Sequence, residues 1–188
     1  EDADLEGVVD RALAIAQSEP AGPVFLTLPR EVLAAKKEEF TYSERPRMHA
    51  AKDTVPAPGL IEEAATVLAA AKNPILIVRD AGRDPESQKP LVNLAELISM
   101  PVFEGTSAYV NFPQSHDLHG GNAAGDHIST ADVIVVVESD APWVQKRTPP
   151  SEDATIISIA QDPLYSKIPI RSYRADISLA GSPRLTIA

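Results

Sequence analysis

Four places in the chain set glycine, charge or a hydroxyl directly after a short apolar run: Arg79-Asp80-Ala81-Gly82-Arg83, Glu104-Gly105-Thr106, Glu138-Ser139-Asp140 and Gln161-Asp162. In an open parallel sheet these are the positions just beyond the carboxyl ends of the strands, where ligands bind. Glycine at two of them would let a ligand approach the backbone closely, although glycine there also simply makes turns, and the turn is the preferred reading. Neither the G-x-G-x-x-G fingerprint nor the G-x-x-x-x-G-K-[ST] loop occurs, so a nucleotide site of either standard kind is unsupported. His116-Asp117-Leu118-His119, with His127 further on, is the one group that resembles a metal site. Its flanks, Asn111-Phe112-Pro113-Gln114 and Gly120-Gly121, read as loop, and no regular ligand spacing closes a coordination sphere. Surface or packing histidines are therefore expected. No nucleophile elbow and no Ser/His/Asp arrangement is visible. Trp143, just after Pro142, is expected to pack against a neighbouring domain.

The elements that must position these residues follow from hydrophobic periodicity. From Asp4 to Gln17, Leu5, Val8, Val9, Ala12, Leu13, Ile15 and Ala16 recur at helical spacing. Pro23 to Pro29 reads as a buried strand, and the charged, proline-bearing stretch from Ala34 to Pro58, with Pro46 and Pro56, reads as a linker. Beyond it come a helix over Leu60–Ala71, a strand over Pro74–Val78, a helix over about Ser87–Ser99 and a short strand over Pro101–Phe103. An irregular stretch from Gly105 to Gly125 leads into strands over Val133–Val137, Ala154–Ile159 and Ala175–Leu179. Near-continuous apolar strands predict burial on both faces, hence an α/β, Rossmann-like parallel sheet flanked by helices. The division expected is 1–44, a helix, strand and linker, and 45–188, the α/β domain.

Composition bounds the rest. A net charge of −10 with no compensating Lys/Arg stripe argues against nucleic acid as a partner. There is no cysteine, hence no disulfide framework or thiolate nucleophile. No apolar run approaches the ~18 residues of a membrane span, and a cytoplasmic protein with no membrane partner is expected. Residue 1 is Glu at the edge of a helix, and Ser182-Pro183 opens another only a few residues before Ala188. Both ends are expected to be cut from a longer chain.

The run Ala21-Gly22-Pro23-Val24-Phe25-Leu26-Thr27-Leu28-Pro29-Arg30-Glu31-Val32 resembles the end of the pyrimidine-binding domain of thiamine-diphosphate enzymes. Leu60 to Val78, with Lys72-Asn73-Pro74, is similar to the start of their central domain, and Leu94 to Val102 to the family's L-A-E-x-[LI]-x-x-P-V. Asn111 to Gly121 and Ala131 to Trp143 resemble acetolactate-synthase-like members in particular. Ile157 to Leu164 is similar to I-x-I-D-x-D-P-x, with Ala160 where aspartate is common. The resemblance implies a parent carboligase or 2-oxo-acid decarboxylase that uses thiamine diphosphate and Mg²⁺, with other domains of the same chain and sister subunits of a homodimer or homotetramer as partners.

The activating glutamate and the metal-binding motif would lie outside these residues, so the resemblance implies no catalytic residue, no metal ligand and no thiamine diphosphate on this chain. Some relatives hold FAD or an ADP-type ligand at the strand tips, often with a glycine run after the first strand. Here Asp80-Ala81-Gly82-Arg83 has a single glycine, which argues against inheritance. Any remnant pocket would be lined by Gly82, Arg83, Gly105, Thr106, Ser139, Asp140 and Asp162. The alternative is a stand-alone nucleotide-binding or regulatory module of the same fold. An NAD-dependent deacetylase fails for want of its histidine, glycine and cysteine motifs.

Overall fold

The computed structural model describes residues 5–36, 39, 43–45 and 47–188. Asp4, expected to open the first helix, and Pro46, in the expected linker, lie outside them. The chain divides into two compact units, Glu1–Asp53 and Thr54–Ala188.

The first unit contains α1 (Leu5–Gln17) and the one-turn α2 (Arg30–Ala34). Within this unit the segment beyond Ser43 runs along α1. Arg47 pairs with Glu6 at 2.9 Å and its amide donates to Asp10, while the amides of Ala51 and Glu19 donate to Ser18 Oγ and the Ala51 carbonyl. The strand expected over 23–29 forms no ladder among the described residues. A strand's backbone donors and acceptors need a neighbouring strand, and the described residues of this unit include none. Phe25 is 93% exposed, and α1 buries no residue.

The second unit is a five-stranded, all-parallel sheet in the order β2-β1-β3-β4-β5. The strands are β1 (Pro74–Val78), β2 (Val102–Glu104), β3 (Val133–Val137), β4 (Thr155–Ala160) and β5 (Ile177–Ala180). The register aligns Leu76 with both Val102 and Val135, Val135 with Ile157, and Ile157 with Ile177, so one apolar row crosses all five strands. That row packs on α3 (Pro58–Ala70), α4 (Gln88–Leu97) and α6 (Pro183–Ile187) through Ala64, Leu68, Leu91, Ala95 and Ile187. Ser182 stands at the N-cap of α6 as expected, without a side-chain cap bond.

The opposite face, carried by Ile75, Ile77, Ile134, Val136 and Ile156, is covered differently. Its cover is the four-residue α5 (His127–Thr130) together with Ala124, Trp143 and Ala154. Past the one-turn α5 the helical rhythm stops: the β3–β4 and β4–β5 connections contain no helix. Pro142, Pro149, Pro150, Pro163 and Pro169 lie in those connections, and each removes a backbone donor and resists helix continuation. Trp143, expected to face another domain, is instead 7% exposed within this second apolar cluster, edge-on to Tyr173 at 5.4 Å. No described helix is long and apolar enough to cross a membrane.

Candidate functional site

A sheet of order 2-1-3-4-5 reverses direction between β1 and β3, and the crevice beyond those two carboxyl ends is the expected ligand position. The chain's own side chains fill it. Arg79, directly after β1, forms an ion pair with Asp140, after β3, and its Nε donates to the Thr106 carbonyl at 3.0 Å. Arg171 Nε donates to the Asp140 carbonyl at 3.0 Å, and its guanidinium lies 4.5 Å from the Tyr165 ring and 5.2 Å from that of Tyr173. Glu138 adopts the left-handed region at φ 45°, and its carboxylate accepts from the Gln161 amide at 2.8 Å. Strain of this kind concentrates where the surroundings over-determine a conformation.

Tyr165, also left-handed at φ 51°, ends in a hydroxyl that is buried with no hydrogen-bond partner. Burial pushes its phenol well above the usual range, and the Glu138 carboxylate adds to the shift. Deleting this hydroxyl removes a desolvated group without breaking a bond. Tyr165→Phe is therefore expected to leave stability unchanged or raise it by up to about 1 kcal/mol; in urea melts, a loss greater than that would mean the hydroxyl has a partner after all.

The seven residues expected to line a remnant pocket separate into distinct places. Gly82 faces its own chain: a Cβ there would sit 2.3 Å from the Val110 carbonyl oxygen, and its amide donates to Asn111 Oδ1 at 2.8 Å. Arg83 is exposed and reaches the Tyr109 ring at 5.8 Å. Ser139 is buried and Asp140 is bound in the ion pair. Asp162 caps its own turn, accepting from the Ser166 amide and hydroxyl at 2.7 Å each. Burial alone would raise its carboxyl pKa, and these bonds outweigh burial and hold it below the usual range.

Of these seven, Gly105 and Thr106 line a cleft of about 750 Å³ beside the tips of β2 and β3. Trp143, Lys146, Arg147, Tyr173 and residues 122–125 also line it. Of the residues that fill the crevice, Arg79 and Glu138 stand in strand-tip segments visible in the sequence. Tyr165, Arg171 and Tyr173 were missed because they lie in the proline-bearing β4–β5 connection, which has no period to read.

Beyond β2, Glu104 is 6% exposed and organises the 105–121 stretch. Its Oε1 accepts from the Asn111 amide (3.0 Å), Asn111 Nδ2 (3.1 Å) and the Phe112 amide (3.2 Å), and its Oε2 lies 3.2 Å from His119 Nε2. Burial would raise this carboxyl's pKa, but His119 and Asn111 outweigh it and the pKa is lowered. His116 meets Glu96 at 3.1 Å and packs on Phe112, whose ring also stacks with His119, while His127 packs on Phe103. Among the described residues no three His, Cys, Asp or Glu side chains converge on a possible metal position.

A family model described as the central domain of thiamine pyrophosphate enzymes matches residues 61–188. The acetolactate synthase of Mycobacterium bovis is 31% identical over 144 residues, covering 71% of this chain and 23% of that protein. The large subunit of acetolactate synthase isozyme 3 of Escherichia coli K12 is 27% identical over 192 residues, covering 96% and 33% respectively. The crystal structure of benzoylformate decarboxylase from Polynucleobacter necessarius matches with a TM-score of 0.76 at 25% identity, over 98% of this chain and 35% of that one. The chain spans about a quarter to a third of the length of the curated relatives it matches.

Proposed function

The chain belongs to the central-domain family of thiamine pyrophosphate enzymes, and from that premise we propose that it is the scaffold domain of an acetolactate-synthase-like carboligase or 2-oxo-acid decarboxylase, with no catalytic step of its own. The observation that carries this reading is the self-filled crevice. Where a doubly wound domain would hold a ligand, Arg79, Asp140, Tyr165 and Arg171 contact one another instead.

Thiamine diphosphate supplies carbanion chemistry as an electron sink when bound, and Mg²⁺ anchors its diphosphate. The residues present do not fit either group. No three metal-ligating side chains converge among those described, and the crevice's cations Arg79 and Arg171 are already engaged at Asp140, while Asp80 and Glu138 add negative charge. A flavin or ADP ligand at the same tips meets the same carboxylates, and Val110 already occupies the space above Gly82. These contacts also disfavour the stand-alone nucleotide-binding module.

Residues 1–44 are, in this reading, the tail of a preceding pyrimidine-binding domain. The exposed apolar side chains of Val8, Leu13, Ile15, Val24, Phe25 and Leu26 support that assignment, because so many large apolar groups on a short stretch of chain suit a surface that meets another domain or subunit.

The test is direct. The purified 188-residue chain, given pyruvate, thiamine diphosphate and Mg²⁺, is expected to release no CO₂, and the cofactor pair is expected to leave its melting temperature unchanged. A protein of the parent's full length is expected to turn over a 2-oxo acid. Turnover by the 188-residue chain would refute the scaffold role, and a saturable thermal shift with ADP or FAD would favour the nucleotide-binding module.

A further inference from the structure

Beside the filled switch-point crevice, a cleft of about 750 Å³ opens between the 105–106 and 143–148 segments. We propose that this cleft is a binding site for a flat organic anion, an aromatic carboxylate, separate from the crevice.

Charge is the first argument. The chain carries −10, yet the charged residues lining this cleft are Lys146, Arg147 and Arg171, all positive. Arg171 is already engaged, donating to the Asp140 carbonyl and stacked on Tyr165 and Tyr173, so it contributes positive potential rather than a free donor. Lys146 and Arg147 are exposed and make no ion pair with a described residue. An anion bound between them would gain charge-assisted hydrogen bonds that nothing in the protein now takes.

Preorganisation is the second. The Arg147 and Thr148 amides both donate to the Val144 carbonyl at 2.9 Å, closing the turn that carries the two cations. Gln145 Nε2 donates to the Ser172 carbonyl at 2.7 Å and Tyr173 Oη to the Trp143 carbonyl at 3.0 Å, stitching that turn to the β4–β5 connection. Half-buried Tyr173 lines the cleft beside the largely buried Trp143, the two rings edge-on at 5.4 Å and 79°, so a flat ring entering there meets aromatic surface. The small Ala123, Ala124 and the left-handed Gly125 also line the cleft and leave it room.

A carboxylate suits this cleft better than a diphosphate. Two side-chain cations face it, whereas diphosphate sites use a glycine-rich backbone cradle opening a long helix, and α5 here is a single turn.

Trp143 is the only tryptophan in the chain, so its fluorescence reports on the cleft directly. Titration of the 188-residue chain with benzoate is expected to quench that emission saturably. Acetate, which lacks the ring, and benzyl alcohol, which lacks the charge, are each expected to leave it unchanged. Lys146→Ala and Arg147→Ala, both at exposed positions, are expected to melt with the wild type and to weaken benzoate binding roughly tenfold or more each. Competition of benzoate by ADP with higher affinity would replace the carboxylate assignment with a nucleotide one and overturn the proposal. So would a linear, unsaturable response, or undiminished binding in both variants.

Discussion

Glu104→Gln is expected to destabilise the chain by roughly 2–3 kcal/mol at pH 7, because a buried carboxylate that accepts three N–H donors would become a neutral amide. The substitution keeps the shape, so the loss isolates charge. Oε1 holds the Asn111 and Phe112 amides and the Asn111 side chain, and Oε2 faces His119. An amide nitrogen on one side and a weaker acceptor on the other satisfy this set less well. Phe112, fully buried in the core, is positioned through its own amide by the same carboxylate, so the cost extends into packing.

The pH dependence has a definite sign. The Glu104 pKa is lowered in the folded state, so the stability it contributes is present above its unfolded value of about 4.3 and lost as pH falls through the lower folded value. The gap between wild type and Glu104→Gln should therefore hold from pH 7 to about pH 5 and narrow below about pH 4. Urea unfolding at several pH values reads this out. A gap that does not change with pH would show that the carboxylate's charge is not what holds the 105–121 stretch.

Gly82→Ala is expected to cost about 2–3 kcal/mol, through steric displacement rather than backbone strain. The added methyl would lie 2.3 Å from the Val110 carbonyl oxygen and 2.8 Å from its carbon, both backbone atoms that cannot rotate aside. The 109–111 segment would have to shift, stretching the 2.8 Å bond from the Gly82 amide to Asn111 Oδ1. Asn111 is also a partner of Glu104, so the two substitutions act on one network. The double variant is expected to lose less than the sum of the single losses, by 0.5 kcal/mol or more. Additive losses would mean that the 109–111 segment yields without disturbing Asn111.

Periodicity and β-branched content determined the β1 and β3 strands to the residue, because both faces of a central parallel strand are buried and leave an unbroken apolar run. The family resemblance, carried by the motifs from Leu60 to Leu164, agrees with the match over residues 61–188. The short helix α2, the one-turn α5 and the bare β3–β4 and β4–β5 connections were not legible, since a single turn has no period and proline only says where a helix stops.

The candidate site divides in the same way. Strand-tip residues were visible in the sequence because they follow apolar runs, but which of them meet was settled only in three dimensions. Arg79 reaches Asp140 because β1 and β3 are neighbours, a pairing of residues 61 apart that hydrogen bonding across the sheet creates. Gly82 meets Val110 instead of a ligand, and Tyr165, Arg171 and Tyr173 converge from a connection with no regular structure. Local composition decides whether a segment is strand, helix or turn. Long-range packing decides whether the space above the strand tips stays open, and here the chain's own side chains close the crevice and leave the cleft beside it.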